Sequence, residues 1–351
     1  MRIVFFTHRF PPDVGGVEKS VDMASRALTG LGHTVKVITE TAGAATSAVP
    51  GGPVVEELRV TPHRPFTRFL YWRWMWRRRR ELRACDVLHF HDYGTFVHWY
   101  LPMWFLVRKP VYAMTYHGFD SWPIRWSDRV LRRAAGWCMD VTFGAGSYLK
   151  HYYRHRIDHT YVGAPILPVV ETHPPVASDF VFVGRLAADT LIDDVVMCLR
   201  EAVGTHGAPC SLSLVGDGPL RDALTGMGTP AFTVRCHGEQ SDPSPFLRGG
   251  KWIIATGLLA ILDAFWCGKP VILPALTPLK RSYFDSIPDV RKLALVADTP
   301  QELTLAFRHV LETPDDPACI ERAARAKAYA GTLSWERIAN LFLRGYDAGR
   351  N

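Results

Sequence analysis

Short apolar runs recur along the chain, and each run is followed by a polar or glycine-containing loop. Near the N-terminus, RIVFF is followed by THRFPPDVGGVEKS, then by apolar positions at helical spacing from Val17 to Leu31, then by GHTVKVIT. This order predicts a buried strand, a glycine-containing turn, an amphipathic helix and a second strand. The apolar runs at residues 86–91, 110–117 and 140–146 predict three further buried strands.

A second alternation of the same kind begins after residues 163–178, GAPILPVVETHPPVAS, which are rich in proline and show no periodic pattern. Strands are predicted at DFVFVG, CSLSLVGDG, FTVRCHG, KWIIAT, PVIL and LALVA, and helices at residues 191–202, 257–267, 300–312 and 317–331, with one more that starts at Pro219. The pattern predicts two doubly wound, Rossmann-like α/β domains with parallel sheets. We place them at residues 1–163 and 179–332, with a linker at 164–178 and a closing amphipathic helix at 333–351. Ligands of such domains bind beyond the carboxyl ends of the strands, here in the cleft between the domains.

Composition narrows the class of protein. A chain of 351 residues with 48% hydrophobic and 21% charged residues suits a packed protein of two domains. Its 7 cysteines include no CxxC pair, which favours reduced thiols over disulfides or structural zinc. Neither a signal peptide nor an apolar run of about 18–20 residues is apparent. We therefore expect a cytoplasmic protein, either soluble or peripheral on the inner face of the membrane.

Charge is concentrated in the first half of the chain. Residues 1–165 hold 23 Lys+Arg against 13 Asp+Glu, whereas the remainder holds 18 against 21. The segment RFLYWRWMWRRRRELR, residues 68–83, mixes arginine with aromatic residues, and HWYLPMWFLVRK at 98–109 adds aromatics that look exposed. A helix dipping into an anionic headgroup layer has this composition. A core helix with solvated arginines is the alternative, and nucleic acid is disfavoured because no binding module accompanies the patch. The candidate membrane residues are Trp72, Trp74, Trp76, Arg77, Arg78, Arg79 and Arg80.

Two loops of the first domain are candidate binding elements. Gly15 and Gly16 precede a helix, where bare backbone and helical N–H groups suit an anion, although the spacing is not GxGxxG and a simple tight turn is the alternative. TYHGFDSW places His117 and Asp120 after a buried strand. A neutral histidine there suits a sugar hydroxyl, and a loop histidine satisfied by its neighbours is the alternative.

Other polar residues at strand ends allow two interpretations each. His89 and His91 alternate along a strand and share a face, but no third metal ligand is evident, so structural histidines are favoured. Gly184 and Arg185 end the first strand of the second domain, where a planar guanidinium suits a diphosphate. Gly216, in LVGDGPLRD, ends another strand; ordinary turn chemistry explains either segment equally well.

Seven segments of the chain, taken in order, resemble the motifs of the family 4 retaining glycosyltransferases. They are PPDVGGVE, YHGFD, VFVGRL, LVGDGPLR, VRCHGEQ, LDAFWCGKPVI and LSWERIANLFLRGY. The resemblance runs over nearly the whole chain and implies the GT-B fold. It implies transfer of a sugar from a nucleoside diphosphate sugar to an acceptor, with the anomeric configuration retained and with no metal or other cofactor. The donor would lie against the second domain and the acceptor against the first, where Glu18 and Asp120 are expected, and the last helix would cross back to the first domain.

The resemblance also implies roles for single residues. The loop at Gly15 and Gly16 would approach the donor, and His117 would contact the transferred sugar. Arg185, beside Gly184, would stabilise the leaving diphosphate. The family's base contacts fall on backbone near Cys236 and His237, beyond Gly216. Asp263 takes the place of the second of two family glutamates, the one that holds the ribose. The alternative interpretation is that Asp263 is a stray acid on a core helix.

The chain departs from the family at two positions. The first glutamate falls on Ala255, and a lysine expected five residues after the arginine falls on Thr190. Loss of a charge-assisted contact would cost about 1.5–3 kcal/mol. Lys280 and Arg281 are candidate replacements, with a solvated charge pair as the alternative. The helix start at Thr256, Gly257, Leu258 and Leu259 is a further candidate phosphate site.

We therefore expect a hexosyltransferase-type enzyme that acts on a lipid-linked or glycan acceptor at an anionic membrane surface, with a nucleotide sugar as donor and no nucleic-acid partner. Because of the two departures, a glycosyltransferase-like scaffold or regulatory subunit stays an alternative. A sugar-nucleotide epimerase or a phosphorylase on the same fold is a further one.

Overall fold

The chain folds into two compact units. A computed structural model describes residues 1–45, 51–58, 67–107, 110–118, 125–154, 156–167 and 174–350. The first unit comprises Met1–Val162 together with Trp335–Asn351, and the second comprises Gly163–Ser334. The end of the chain therefore belongs to the same unit as its beginning.

The first unit is built on a sheet of seven parallel strands in the order β3-β2-β1-β4-β5-β6-β7. The strands are β1 (Arg2–Thr7), β2 (Thr34–Thr39), β3 (Val54–Glu57), β4 (Val87–His91), β5 (Val111–Tyr116), β6 (Val141–Ala145) and β7 (His159–Tyr161). The helices are α1 (Gly16–Gly30), α2 (Thr67–Arg83), α3 (Tyr93–Thr95), a π-helical turn (Phe96–Tyr100), α4 (Leu101–Trp104), α5 (Trp126–Trp137) and α6 (Tyr148–Tyr153). Strand order reverses between β1 and β4, and at such switch points α/β sheets bind ligands.

The second unit contains six parallel strands in the order β10-β9-β8-β11-β12-β13. The strands are β8 (Ser178–Val183), β9 (Cys210–Val215), β10 (Phe232–Cys236), β11 (Gly250–Ile254), β12 (Val271–Pro274) and β13 (Leu295–Ala297). The helices are α7 (Ile192–His206), α8 (Arg221–Thr225), α9 (Ser244–Gly249), α10 (Leu258–Trp266), α11 (Pro278–Phe284), α12 (Val290–Leu293), α13 (Pro300–Glu312) and α14 (Pro317–Gly331), with a 3₁₀ turn at Ala188–Thr190. Its switch point lies between β8 and β11.

Buried strands explain why the sequence reads as apolar runs. Every residue of β4 and β5 is buried, as parallel strands covered by helices on both faces require. The second unit has its own core, in which β8 and β9 pack against α7 and α13. Two parallel-sheet α/β domains are therefore confirmed as the fold class.

Three helices of the second unit start at the same short signature, a capping residue followed by proline. Thr277, Thr299 and Asp316 each accept a backbone N–H at the start of α11, α13 and α14, and proline occupies the next position. The predicted bounds of α13 and α14 agree with the structure for this reason. The same signature at Thr277 begins α11, for which the apolar pattern predicted no helix.

The last helix, α15 (Trp335–Ala348), packs on the first sheet through a narrow aromatic stripe. Phe342 contacts Phe143 and Tyr161, with ring centroids 4.7 Å and 5.6 Å apart. Gly345 lies so close to Phe143 that an added Cβ would fall 2.5 Å from its ring. The glycine therefore allows the helix to approach the sheet.

The two aromatic segments, residues 68–83 and 98–109, differ in how far their aromatic side chains are exposed. On α2, Tyr71, Met75 and Leu82 are buried along one stripe, as in a core helix, while Trp76 stays exposed. In the segment 98–109, the expectation of exposed aromatics is wrong for Trp99 and Tyr100, which are fully buried. Tyr100 packs against Phe6 of β1 and Phe90 of β4, and Trp99 packs against His8 and Tyr71. Among the described helices, none combines the length and hydropathy needed to cross a bilayer.

Candidate functional site

Two histidines meet at the carboxyl ends of neighbouring strands in the first unit. His91 ends β4 and His117 follows β5, which pairs with β4 in parallel. Nδ1 of His91 lies 2.8 Å from Nε2 of His117, and the two rings stack with centroids 5.1 Å apart. Sequence analysis predicted His117 as a site residue but missed this role of His91. The signal was available, because strand-end residues of paired parallel strands are neighbours.

A third histidine continues this column into the core. His89 stacks on His91 with centroids 4.6 Å apart. Its Nδ1 lies 2.6 Å from the hydroxyl of Tyr346 on α15, and its Nε2 lies 2.8 Å from the hydroxyl of Thr115. His89 is therefore a structural residue that ties the last helix to the sheet.

The three histidines are neutral at ordinary pH. Burial lowers the pKa of His89 and of His91 well below the usual value, and neighbouring histidines lower it further. Burial and then the charge of Arg132 lower the pKa of His117 to about 3. A neutral imidazole has one N–H donor and one acceptor, so each ring must adopt a definite tautomer.

The tautomers follow from one unsatisfied atom. Nε2 of His91 is buried and has no hydrogen-bond partner within the part of the chain that the structure describes. A buried lone pair is tolerated better than a buried N–H without an acceptor. We therefore assign the proton of His91 to Nδ1, which donates to Nε2 of His117. The proton of His117 then resides on Nδ1, so His117 has an N–H donor to offer.

A buried arginine supports the same strand ends. Arg132 of α5 is fully buried, and its Nη2 lies 3.4 Å from Oδ1 of Asp92, just after β4. The hydroxyl of Tyr116 donates to the Arg132 carbonyl oxygen at 3.0 Å. The guanidinium is a fixed positive charge close to His117, and this explains the second cause of its low pKa.

The glycine loop of the first unit is shaped by an acid. A Cβ on Gly15 would fall 2.2 Å from Oε2 of Glu18, whose side chain is buried. Gly15 precedes α1, and Gly16 is its first residue. A side chain at position 15 would therefore displace the end of Glu18, which folds back onto the loop. Asp120, also expected here, lies outside the described residues.

In the second unit, the ends of β8 and β9 approach each other closely. The backbone N–H of Gly184 donates to Val215 at 3.0 Å, and a Cβ on Gly216 would fall 1.9 Å from the Gly184 carbonyl oxygen. Only glycine fits at position 216. The close approach leaves the backbone of both strand ends without side chains between them.

Arg185 follows Gly184 and lies beside an acidic residue. Its guanidinium is largely exposed and forms an ion pair of 2.5 Å with Asp189. Thr190 is buried, and its hydroxyl donates to the carbonyl oxygens of Arg185 and Ala187 at 3.0 Å and 2.6 Å. Thr190 therefore fixes the turn that bears Arg185.

The structure separates the two candidate replacements for the absent lysine. Arg281 donates to the carbonyl oxygens of Ala275 and Asp298 and lies 3.5 Å from the Asp298 carboxylate, so it holds loops together. Lys280 is buried, and its Nζ donates to the Thr256 carbonyl oxygen at 3.0 Å. Burial lowers the pKa of Lys280 to about 8, while the charge of Asp189 raises it and that of Arg185 lowers it. Lys280 is thus electrostatically coupled to Arg185.

The start of α10 adjoins Lys280, which donates to the Thr256 carbonyl oxygen. Thr256 is buried, Gly257 is the N-cap, and the N–H of Leu258 donates to the hydroxyl of Tyr283 at 3.0 Å. Leu259 follows in the first turn. A Cβ on Gly257 would meet no atom within 4 Å, so space is open in front of this helix start.

The position of the first family glutamate is buried: Ala255 is fully covered, and its N–H donates to Ile272 at 3.3 Å. Asp263, in the second position, is buried as well. Its Oδ1 accepts the backbone N–H groups of Ile166 and Leu167 at 2.7 Å and 3.3 Å. Asp263 therefore holds the chain at residues 166–167, a structural role that sequence analysis did not foresee. Its expected contact with a ribose stays a prediction.

The expected base contacts at the end of β10 already have protein partners. The N–H of His237 donates to Leu214 at 2.9 Å, and its carbonyl oxygen accepts from Gln240 at 2.9 Å. The Sγ of Cys236 lies 3.1 Å from the hydroxyl of Thr225. These contacts shape the strand end, and the role of Cys236 and His237 towards a base stays a prediction.

One group of described side chains has the arrangement of metal ligands, at the loop between α13 and α14. Nε2 of His309 lies 2.9 Å from Oδ2 of Asp316, and Sγ of Cys319 lies 3.4 Å from the same oxygen. Asp316 also caps α14, so the group has a structural explanation. It does not include any of the strand-end residues.

The fold agrees with that of several solved enzymes. A protein from Anabaena, Alr3699/HepE in complex with UDP and glucose, matches with a TM-score of 0.75 at 15% identity, over 98% of both chains. Sucrose-phosphate synthase from Thermosynechococcus elongatus matches with a TM-score of 0.73 at 16% identity, over 99% of this chain and 98% of the other. A Listeria monocytogenes protein named for UDP-N-acetylglucosamine 2-epimerase matches with a lower TM-score of 0.63 at 13% identity, over 97% and 94%. The chain has the GT-B glycosyltransferase fold.

The sequence of the first unit is similar to one protein family. Residues 14–158 match the family model described as Glycosyltransferase Family 4. This match and the shared fold support the resemblance to the family 4 glycosyltransferases stated from the motifs. No curated protein matches the chain at a significant level.

Proposed function

We propose that the protein is a retaining glycosyltransferase that moves a sugar from a nucleoside diphosphate sugar to an acceptor. The observation on which the proposal depends is the presence in the second unit of an exposed cation, Arg185, that follows β8, and a buried cation, Lys280, that donates to Thr256 just before α10. An exposed guanidinium and a buried ammonium act on each other there. A diphosphate would supply negative charge to both cations.

The leaving group determines how these residues act. As the bond between sugar and diphosphate breaks, negative charge grows on the phosphate oxygens, and Arg185 and Lys280 stabilise it. Asp189 occupies Arg185 in the free protein and would exchange with the diphosphate. The backbone at Gly184, Gly216 and the start of α10 adds N–H groups near the same anion.

The sugar and acceptor are assigned to groups of the first unit. His117 would donate its Nδ1 proton to a hydroxyl of the transferred sugar, and the backbone at Gly15 would approach the donor. The acceptor hydroxyl attacks on the face from which the diphosphate departs, and its proton passes to a donor phosphate oxygen. Retention, a hexose as the transferred group and independence from metal are parts of this proposal. A carboxylate at position 255 plays no part, because Ala255 has none.

We further propose that the acceptor is lipid-linked or a glycan and that transfer takes place at the cytoplasmic face of an anionic membrane. The basic excess of residues 1–165 supports this. Helix α2 supports it less than its composition suggests, because Arg78 pairs with Glu56 and stacks on Trp74, with 3.7 Å between the guanidinium carbon and the ring centroid. The guanidinium of Arg79 covers the ring of Trp76 in the same way.

A panel of nucleotide sugars, incubated with the purified protein and a membrane extract, tests the transferase proposal. Acceptor-dependent release of nucleoside diphosphate is the expected result, and NMR of the product should show the anomeric configuration of the donor. Arg185→Ala should abolish release, and Thr205→Ala, on an exposed part of α7, is the matched control. Folded protein that releases nucleotide from no donor would show that the proposal is wrong.

The alternative functions predict different results in the same assay. A scaffold or regulatory subunit would bind a partner enzyme without releasing nucleotide. An epimerase would change the sugar nucleotide with no acceptor present, and its support is the Listeria protein with the lower TM-score. Product analysis without acceptor distinguishes the three.

A further inference from the structure

Helix α5 presents two tryptophans to solvent, one at each end. Trp126 and Trp137 are 79% and 78% exposed, the largest fractions among the large apolar side chains that the structure describes. They are eleven positions apart, which is close to three full turns, so both side chains point to the same side of the helix. Val130 is also exposed and lies between them on that side.

The arginines of the same region surround this apolar stripe. Arg129 and Arg133 of α5 and Arg154 after α6 line, together with the two tryptophans, a shallow cavity of about 360 Å³. Arg133 donates to the carbonyl oxygen of Arg154 at 3.0 Å. None of these three arginines forms a salt bridge with an acidic residue that the structure describes. This includes Asp128, the acidic residue of α5.

The opposite side of α5 is anchored in the first unit. Arg132, Ala135 and Gly136 are buried, and a Cβ on Gly136 would fall 3.2 Å from the hydroxyl of Tyr116. The helix therefore cannot rotate to cover its tryptophans without exposing a buried guanidinium. The stripe of Trp126, Val130 and Trp137 is a fixed feature of the surface.

We propose that this face of α5, the α5 face, is a membrane-binding surface that lies flat on an anionic bilayer. Tryptophan favours the headgroup region, because its ring is apolar and its N–H is polar. Arginine can bind lipid phosphate with two parallel hydrogen bonds. An amphipathic helix with tryptophans at both ends and arginines alongside fits a planar, negatively charged interface. The positive charge of Arg129, Arg133 and Arg154 favours an anionic bilayer over a neutral protein surface.

This inference extends the membrane part of the proposed function, and it names a different surface from α2. It needs no turnover, so it stands or fails separately from the transferase activity. On α2, Arg78 is held by Glu56, whereas Arg129 and Arg133 on α5 face solvent without a described acidic partner.

Vesicle flotation of the full-length protein tests the α5 face. Vesicles of phosphatidylcholine with an equal part of phosphatidylserine should bind the wild type, and vesicles of phosphatidylcholine alone should bind it less. Trp126→Ala with Trp137→Ala should lower partition on the anionic vesicles about tenfold or more, and Arg129→Ser with Arg133→Ser should have a similar effect, because each basic residue near an anionic surface contributes about 1 kcal/mol. The control, Met197→Ser with Leu305→Ser, removes two apolar residues that are 62% and 61% exposed in the second unit and should leave partition unchanged.

Wild-type binding by the tryptophan double variant would overturn the proposal, and so would loss of binding only when arginines 77–80 are changed. Equal binding to neutral and anionic vesicles would overturn the role of the arginines. If the tryptophans instead form an interface between copies, the variant would become monomeric while vesicle binding persists, which also contradicts it. Trp126→Phe with Trp137→Phe keeps the apolar surface and should retain part of the binding, and unchanged circular dichroism confirms that the variants fold.

Discussion

Nδ1 of His91 lies 2.8 Å from Nε2 of His117, at the ends of two adjacent parallel strands. Both rings have a lowered pKa because they are buried. The contact therefore joins two neutral imidazoles, and the tautomer of one determines the tautomer of the other. A residue in the core thus controls which nitrogen of His117 offers a proton.

Replacement of His91 by phenylalanine should disturb the tautomer of His117. The substitution keeps ring volume but removes the donor to Nε2, so the ¹⁵N NMR pattern of His117 should change from the Nδ1–H tautomer to a mixture. Loss of one hydrogen bond is worth about 0.5–1.5 kcal/mol, so turnover should fall about three- to tenfold. His91→Asn, which places an amide nitrogen near Nδ1, should restore the pattern in part.

His89→Phe is the matched control for this experiment. His89 is equally buried but contacts Tyr346 and Thr115 rather than His117. Its loss should lower the melting temperature and leave the His117 resonances as they are. An unchanged His117 spectrum in His91→Phe would contradict the assigned tautomers.

Binding of nucleoside diphosphate should weaken as pH rises above about 8, the value to which burial lowers the pKa of Lys280. Below that pH the ammonium is charged and attracts the diphosphate. Above it the neutral amine must first take up a proton, so affinity should fall by up to about tenfold per pH unit. Isothermal titration between pH 7 and 9 measures this with the nucleotide that the donor panel identifies.

Lys280→Met should bind more weakly and lose the pH dependence. Arg281→Met, one residue further on, is the control, because Arg281 bonds to Ala275 and Asp298. It should reduce stability and keep the pH profile. The same profile in Lys280→Met and in the wild type would exclude Lys280 as the titrating group.

Replacement of Asp263 separates its structural role from its expected ribose contact. Asp263→Ala removes the acceptor of two backbone N–H groups and should lower the free energy of unfolding by about 1–3 kcal/mol. Asp263→Asn keeps an acceptor oxygen and should recover much of the stability in denaturant unfolding. If nucleotide affinity falls in Asp263→Asn while stability does not, the ribose contact is supported.

Gly216→Ala should be among the most destabilising small substitutions in the second unit. The new methyl group would lie 1.9 Å from the Gly184 carbonyl oxygen, so β8 and β9 would have to separate at their ends. We expect a loss of about 3 kcal/mol or more in urea unfolding. Gly204→Ala is the control: a Cβ there meets no atom within 4 Å, and alanine in a helix is favoured by about 1 kcal/mol. A stable Gly216→Ala variant would show that the strand ends can move apart.

Much of the fold could be predicted from local pattern. Apolar runs predicted eleven of the strands, since parallel strands covered on both faces have no polar side, and the bounds predicted for α13 and α14 agree with the structure. The short strands β3 and β7 and short helices such as α9 and α12 were not predicted, because they contain too few residues for a periodic pattern, and the longer helix α5 was not predicted either. Trp99 and Tyr100 show the same limit, since whether an aromatic residue is exposed depends on what packs against it.

The sequence by itself determined the fold class and the strand-end positions of His117, Arg185 and Gly216, because these depend on order along the chain. Tertiary structure decided which residues act together. It joined His91 to His117, buried Lys280 while Arg281 bonds to Asp298, and gave Asp263 two backbone partners 96 and 97 positions away. Such contacts unite residues that are distant in sequence, and the energy of a buried charge or hydrogen bond depends on its surroundings in space.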